Sequence, residues 1–455
     1  MIDSELIKKY NIPVPRYTSY PPANYFSESF SAKDYEEALN QSNNAQPEHI
    51  SFYIHFPFCR KLCHYCGCNS FAMTTEKQIN RYISALFKEI ETVVRYLNPK
   101  RRIAQIHYGG GTPSILPVNI LKDFNDKLLS SFSCIEKPEI AIECHPGYLE
   151  EKDWLMLSEA GFNRFSLGIQ DFNEKVLNAV SRLPSLLPAE RIFSILREKK
   201  ININLDFIYG LPYQTEESFA ETIRQAIELQ PDRLVTFSYA HVPWVNNRQT
   251  LLEDLGLPTN EEKSRMYIHA KEMLKEAGYQ AIGLDHFVKK TDELYIALQN
   301  GQLHRNFQGY CTRRTTGQVY AFGATAISQL STAYSQNSKN TVEYINLIEN
   351  GLATVKGYRL NENEQITREV IETLMCNYSI DWIELSEHLS LPVEKIKAAT
   401  AYNSELFSTF ADDGIITFDE NHIRITEQGM FFVRNIAAAL DRLMIDSKKS
   451  FSKPI

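Results

Sequence analysis

From about residue 49 to 290, short apolar runs rich in β-branched and aromatic residues alternate with longer stretches whose apolar positions recur at helical spacing. The runs predict strands over residues 49–55, 102–108, 139–144, 164–170, 203–209 and 233–240. Residues 78–96, 216–229 and 261–277 predict amphipathic helices between them. Such alternation implies a parallel sheet with helices packed outside. Six units fit either a partial barrel or a doubly wound sheet. In both, function gathers at the C-terminal ends of the strands.

The flanking regions read differently. Residues 1–48 carry few helix signals, and the prolines of Pro15-Arg-Tyr-Thr-Ser-Tyr-Pro-Pro22 predict an extended arm. The arm is either a strap over the surface or, through Arg16 and the tyrosines, a closure over a site. After about residue 356, residues 380–389 and 393–400 predict two short helices joined by Ser390-Leu-Pro392. A hairpin over 412–426 and a closing helix over 426–443 complete a winged-helix outline. Nucleic-acid binding would need a basic second helix. This one offers Glu394, Lys395 and Lys397 beside an acidic hairpin, which favours a structural or lid role. The expected domains are an arm over 1–48, a catalytic domain over 49–355 and a mainly helical domain over 356–455.

Composition narrows the setting. A net charge of −8 over 455 residues argues against non-specific nucleic-acid binding, which needs a basic face. No apolar run is long enough to span a bilayer. Met1-Ile-Asp-Ser-Glu5 has neither the basic nor the apolar region of a secretory signal. Cys134, Cys144, Cys311 and Cys376 are scattered, as expected of reduced thiols in the cytoplasm.

The other four of the eight cysteines lie in one stretch, Cys59-Arg-Lys-Leu-Cys63-His-Tyr-Cys66-Gly-Cys68. The first three have the spacing C-x3-C-x2-C. Thiolates this close in one loop converge on a soft centre, iron–sulfur or zinc. Zinc usually takes four ligands. Three suit a cubane cluster with one iron left open. Tyr65 places a ring beside the cluster, where it can stack on a purine. Other unusual residues fall at the predicted strand ends: Gly109-Gly-Gly-Thr-Pro113, Glu143 with His145, Gln170-Asp171, Asp206, and Ala240-His241. The triple glycine lets backbone approach a ligand closely. It is not a phosphate loop, because no Gly-Lys-Ser/Thr follows. Glu143 can accept hydrogen bonds from ribose hydroxyls, and Arg182 can hold a carboxylate. His304-Arg-Asn-Phe-Gln-Gly-Tyr310 reads as a binding loop or a satisfied turn.

A cysteine triplet after a first strand, with GGGTP about forty residues on, resembles the radical S-adenosylmethionine (SAM) superfamily. Further stretches narrow this. Tyr53-Ile-His-Phe-Pro-Phe-Cys59, His107-Tyr-Gly-Gly-Gly-Thr-Pro113, Gly168-Ile-Gln-Asp-Phe-Asn173, Asp206-Phe-Ile-Tyr-Gly-Leu-Pro212, Tyr239-Ala-His241 and the 304–310 stretch are together similar to the oxygen-independent coproporphyrinogen III oxidase family. The likeness runs from the proline-rich arm to Arg434-Asn-Ile436. The related haem-chaperone branch generally lacks that arm, the second Cys of Cys66-Gly-Cys68 and the 304–310 stretch.

The resemblance implies an α/β fold: a partial (β/α)6-type barrel with parallel strands and a mostly helical, winged-helix-like C-terminal domain. It implies a [4Fe-4S] cluster on Cys59, Cys63 and Cys66, its fourth iron open to SAM. Two SAM molecules are implied. Tyr53, Gly110, Glu143 and Ile327 match positions around the first, and Tyr65, Gly111, Thr112, Gln170, Arg182, Asp206 and Ala240 positions around the second. The implied substrate is a tetrapyrrole, coproporphyrinogen III, two of whose propionates become vinyl groups through a 5′-deoxyadenosyl radical. A flavodoxin- or ferredoxin-type electron donor, a monomeric state and a cytoplasmic location go with it. A haem chaperone, or an enzyme acting on another tetrapyrrole, is the alternative. The sequence departs from the family pattern at His145, where Asp is usual, and at Leu183-Pro184, where Gln is usual two residues after Arg182.

Overall fold

The computed structural model describes residues 4–244, 246–312, 318–445 and 447–452. Six strands form its centre: β1 (His49–Phe56), β2 (Arg102–Gly110), β3 (Cys134–Cys144), β4 (Arg164–Gln170), β5 (Asn202–Tyr209) and β6 (Arg233–Ser238). They lie side by side in chain order, every pair parallel. That order decides between the two architectures left open by periodicity. A doubly wound sheet reverses its strand order at a switch point, whereas unreversed right-handed crossovers wind one way, as in a barrel. Ile50, Ser51 and Phe52 of β1 and Ile203, Asn204 and Leu205 of β5 are buried in succession, so both faces of these strands are covered there.

The arc extends past both ends of the predicted set. Beyond β6 run two antiparallel strands, His286–Val288 and Gln280–Ile282. On the other side Gln318–Phe322 pairs parallel with β1, followed by Ile327–Gln329, Ala333–Asn337 and Thr354–Arg359, all antiparallel. Among the described residues the two outer edges do not pair, so the twelve-stranded sheet stays open. The domain boundary expected at 355/356 falls inside Thr354–Arg359, the last strand of this sheet.

The first 48 residues differ from the expected extended arm. They contain two helices, Ser4–Tyr10 and Ala32–Ser42. The second begins with a reciprocal cap between Ser31 and Asp34 and buries Tyr35, Ala38 and Leu39. The first buries Leu6 and Tyr10, the Tyr10 ring lying 5.7 Å from Phe410 and 5.5 Å from Phe432. The proline-rich stretch between them has no helix or strand, but it is not the extended arm expected: Tyr17 takes a left-handed φ of +48° and residues 18–21 bend. The Arg434 guanidinium grips it, Nε donating to Pro15 O at 3.0 Å and Nη2 to Val14 O.

The C-terminal region is mainly helical, with helices Glu362–Asn377, Trp382–Leu389, Val393–Ala399 and Ser404–Asp412 around the small sheet of Ser379–Asp381, His422–Ile425 and Ile416–Phe418. The single closing helix expected over 426–443 is broken instead into a 3-10 turn, Gly429–Phe432, a short helix, Val433–Ala438, and a second turn, Arg442–Met444. Gly429 opens the first of these turns. Its backbone packs so tightly on Ile415 that a Cβ there would lie 1.8 Å from the Ile415 carbonyl oxygen.

One buried carboxylate ties the extra strands to the arc. Glu89, on helix Glu76–Val94, accepts from Gly323 N at 2.8 Å, Tyr344 Oη at 2.6 Å and Asn337 Nδ2 at 2.6 Å. Burial pushes its pKa up to about 7 against the pull of those bonds. A carboxyl raised on folding contributes stability below its unfolded value, about 4.3, and loses it as pH rises through the folded one. The urea stability of wild type relative to Glu89→Gln is therefore expected to fall between pH 5 and 8. A difference that stays flat over that range contradicts this account of Glu89.

Candidate active site

The cysteine loop leaves β1 and is closed at its base by a parallel bridge. Phe58–Cys59 pairs with Phe71–Ala72, and Met73 N donates to Cys59 O at 2.9 Å. Distant elements hold the backbone between. Lys61 N donates to Tyr148 Oη at 2.9 Å, and Tyr148 Oη to Lys61 O at 3.2 Å. His64 N donates to Val180 O at 2.9 Å. Asn246 Nδ2 donates to Cys66 O at 2.6 Å, and Gln249 Nε2 to Tyr65 O at 3.0 Å and Ala240 O at 3.2 Å. Tyr148, Asn246 and Gln249 were not singled out from the sequence. They lie 87, 180 and 184 residues from their partners in the cysteine loop and belong to no local pattern.

Two sulfurs already receive hydrogen bonds. Thr112 Oγ1 donates to Cys59 Sγ at 3.4 Å, and Arg182 Nη1 to Cys63 Sγ at 3.6 Å. Donors aimed at sulfur favour thiolate charge. Arg182 Nη1 also donates to Tyr65 Oη at 3.2 Å, and Nη2 to Gly168 O. The Cys68 thiol hydrogen-bonds Cys66 and draws its pKa down to about 6. Among the described residues no three His, Cys, Asp or Glu side chains converge as they would on a single ion. Ligands of one tetrahedral zinc must crowd within about 2.3 Å of a common point. A triplet of cysteines in one loop, two of its sulfurs met by donors from Thr112 and Arg182, suits three corners of a cluster.

Next to the triplet is a glycine cradle at the end of β2. A Cβ on Gly109 would lie 2.5 Å from Glu143 Oε1 and 2.9 Å from Tyr53 Oη. On Gly110 (φ +117°) it would lie 2.8 Å from the His55 ring, and on Gly111 2.8 Å from the Pro57 backbone. The structure thus brings Tyr53, Gly110 and Glu143 into one group. His107 Nε2 lies 3.1 Å from Glu143 Oε1, and Tyr53 Oη lies 3.1 Å from His55 Nδ1. Burial lowers the His55 pKa to about 4, so the ring is neutral at pH 7. Ile327 stands on the second strand beyond β1, packed against the cluster of Phe26, Tyr334 and Leu360.

Tyr65, Gln170 and Arg182 form a second group. A Cβ on Gly168 would lie 2.7 Å from Arg182 Nη2 and 2.8 Å from Gln170 Nε2. Gln170 has φ +69°, a left-handed turn that ends β4. Asp206, paired in register with Gly168, accepts from Ser166 Oγ at 2.6 Å and Asn204 Nδ2 at 2.8 Å. Burial raises its pKa.

The two departures from the family pattern meet in space. A Cβ on Gly147 would lie 2.6 Å from Pro184 O and 2.8 Å from Leu183 Cβ, so the His145 loop and Leu183-Pro184 pack on one another. The His145 ring stacks on Tyr148, centroids 3.9 Å apart, and its Nδ1 accepts from Gly147 N at 3.1 Å. Burial, with help from Arg182, pushes the His145 pKa down to about 2 and leaves the ring neutral. His145 therefore seats Tyr148, the residue that braces Lys61 in the cysteine loop, and Leu183-Pro184 pack on Gly147 in the turn between them.

Residues 53–226 match the family model of the radical SAM superfamily, and residues 360–432 match the HemN C-terminal domain. An oxygen-independent coproporphyrinogen III oxidase of Escherichia coli is 38% identical over 445 residues, 96% of this chain and 95% of that one. Its counterpart from Synechocystis is 35% identical over 457 residues, 99% of this chain and 98% of the other. The solved structure of coproporphyrinogen III oxidase (HemN) from E. coli, described as a radical SAM enzyme, superposes with a TM-score of 0.86 at 35% identity, covering 97% of this chain and 99% of that one. No helix among the described residues is long and apolar enough to cross a membrane. On these grounds the chain belongs to the oxygen-independent coproporphyrinogen III oxidase family of the radical SAM superfamily.

Proposed function

We propose that the protein is an oxidoreductase, a SAM-dependent coproporphyrinogen dehydrogenase. It converts two propionate side chains of coproporphyrinogen III to vinyl groups, giving protoporphyrinogen IX and carbon dioxide in anaerobic haem (porphyrin) biosynthesis. The supporting observation is the meeting of a three-cysteine loop, with donors on its sulfurs, and a glycine cradle at one rim. In this reading Cys59, Cys63 and Cys66 hold the [4Fe-4S] cluster and leave one iron open. When bound, the cluster and SAM supply a carbon radical that takes a hydrogen atom from an unreactive C–H bond. No side chain acting as a base would serve, because a propionate β-hydrogen has no useful acidity.

The protein's own residues bind, orient and exclude water. Gly110 admits the amino-acid end of the first SAM, Glu143 accepts from its ribose, and Tyr53 and Ile327 flank it. Tyr65, Gly111, Thr112, Gln170, Arg182, Asp206 and Ala240 surround a second SAM, with Arg182 holding its carboxylate. The arm and the C-terminal domain keep water from the rim. A small electron carrier of the flavodoxin or ferredoxin type delivers the electron that cleaves SAM, and one electron leaves each substrate radical to an acceptor as its carbon dioxide departs. The free, scattered cysteines suit a cytoplasmic location, and the protein acts there as a monomer.

Anaerobic incubation with SAM, a reductant and coproporphyrinogen III tests the substrate. Vinyl products are expected. Tight haem binding without decarboxylation would instead indicate a haem carrier, and SAM cleavage only with haem an enzyme for another tetrapyrrole.

A further inference from the structure

We propose that a cavity of about 270 Å³, between the ends of β5 and β6, the N-terminal arm and the C-terminal domain, is a carboxylate subsite. It takes one propionate-bearing edge of the tetrapyrrole, with Arg305 and Arg16 pairing the carboxylate. The inference rests on the substrate class proposed above. The cavity is smaller than the roughly 300–1,000 Å³ that encloses a whole drug-sized ligand. It has room for a pyrrole edge and its side chain, not for a macrocycle.

Charge is the main observation. On a chain of net charge −8, five cations line this one cavity, Arg16, Lys263, Lys271, Arg305 and Arg434, against a single carboxylate, Asp285. Several of these groups are engaged. Asp285 Oδ1 lies 2.6 Å from His286 Nδ1. Lys263 Nζ donates to Tyr239 O at 2.8 Å. Arg434 is occupied by the arm and by Ser452 O at 2.9 Å.

Arg305 is not fully engaged. It sits on a hairpin of Leu303–Asn306 and Gly309–Thr312, the stretch read from sequence as a loop or turn. Its guanidinium lies 4.7 Å above the Tyr310 ring, and Nη1 donates to Tyr310 Oη at 3.1 Å. Its Nε is buried with no acceptor. Tyr310 thus takes only part of the guanidinium's hydrogen-bonding capacity, and Arg305 lines the cavity with the rest of it unused. Gly283 makes the perch possible. At φ +61° it leaves open the space that Tyr310 fills, and a Cβ there would lie 1.9 Å from Tyr310 Oη.

Arg16, on the N-terminal arm, lines the same cavity and completes the pair. Among the described residues its side chain makes no hydrogen bond or ion pair. The grip of Arg434, itself a lining residue, on Val14 and Pro15 fixes the backbone just before Arg16. The subsite also reaches toward the proposed chemistry, since His286, bonded to Asp285, is near enough to Asp206 to act on its charge.

The test uses the reconstituted holoenzyme without SAM, and coproporphyrin III as a fluorescent tetracarboxylate probe, with its tetramethyl ester as the uncharged control. Wild type is expected to bind the acid at least tenfold more tightly than the ester. Arg305→Leu is expected to weaken the acid at least tenfold and leave the ester unchanged, while Arg305→Lys stays within about threefold of wild type. Arg16→Leu should show a smaller loss, because an exposed charge is screened. Iron content and circular dichroism confirm that each variant is folded. The inference is overturned if wild type does not distinguish acid from ester, or if Arg305→Leu binds the acid as wild type does. Tight porphyrin binding without any vinyl product would keep the subsite and remove the proposed reaction. Vinyl formation by Arg305→Leu at an unchanged KM would do the opposite.

Discussion

Serine at Cys59, Cys63 or Cys66 is expected to abolish iron binding and every trace of product, whereas Cys68→Ser keeps its iron. Thiolate is the ligand an iron–sulfur corner requires, and a three-point attachment has no spare. Thr112 and Arg182 donate to Cys59 and Cys63, and the Cys68 thiol donates to Cys66. Serine at 68 retains a donor for that last bond. The loop's backbone is held by Tyr148, Asn246, Gln249 and the Phe71–Ala72 bridge, none of which depends on the sulfur at 68. Iron analysis and visible absorption after anaerobic reconstitution report the outcome. Loss of iron in the Cys68 variant alone would falsify the ligand assignment.

Gly109→Ala is expected to weaken SAM binding at least tenfold while leaving the iron in place. The new methyl would meet the ends of two side chains, Glu143 Oε1 at 2.5 Å and Tyr53 Oη at 2.9 Å. Both are flexible enough to move aside, and moving them removes two proposed SAM contacts. Gly111→Ala should differ. Its Cβ would meet the Pro57 backbone at 2.8 Å, immediately before the cysteine loop, so iron should be lost together with SAM. Overpacking of this kind typically costs about 1–3 kcal/mol, which an otherwise intact core tolerates. Equilibrium dialysis with SAM, alongside iron content, separates the two variants. A wild-type Kd in Gly109→Ala would remove Glu143 and Tyr53 from the SAM site.

The central strands were legible because each is a dense apolar run ending in polar or glycine residues. β4, Arg164–Gln170, appears with the boundaries predicted, and the other five shift by at most a few residues except at the start of β3, which extends back to Cys134. The order of the strands was not legible, since periodicity does not say which neighbours pair. Helix Ala32–Ser42 was missed although Ser31 and Asp34 spell a capping pair, because the nearby prolines dominated the reading of the whole segment. Gln318–Phe322 was missed because it is buried throughout and has no alternation. The cysteine spacing and the glycine turn lie in contiguous sequence and could be read directly. The braces from Tyr148, Asn246 and Gln249, and the meeting of His145 with Leu183-Pro184, exist only once the strands are side by side.

The most direct measurement is anaerobic turnover of coproporphyrinogen III carrying deuterium at the β-carbons of its propionates. Deuterium is expected in the 5′-deoxyadenosine released, with two carbon dioxide molecules for each protoporphyrinogen IX. Vinyl product accompanied by unlabelled 5′-deoxyadenosine, or labelled substrate left intact by fully iron-loaded protein, would contradict the account.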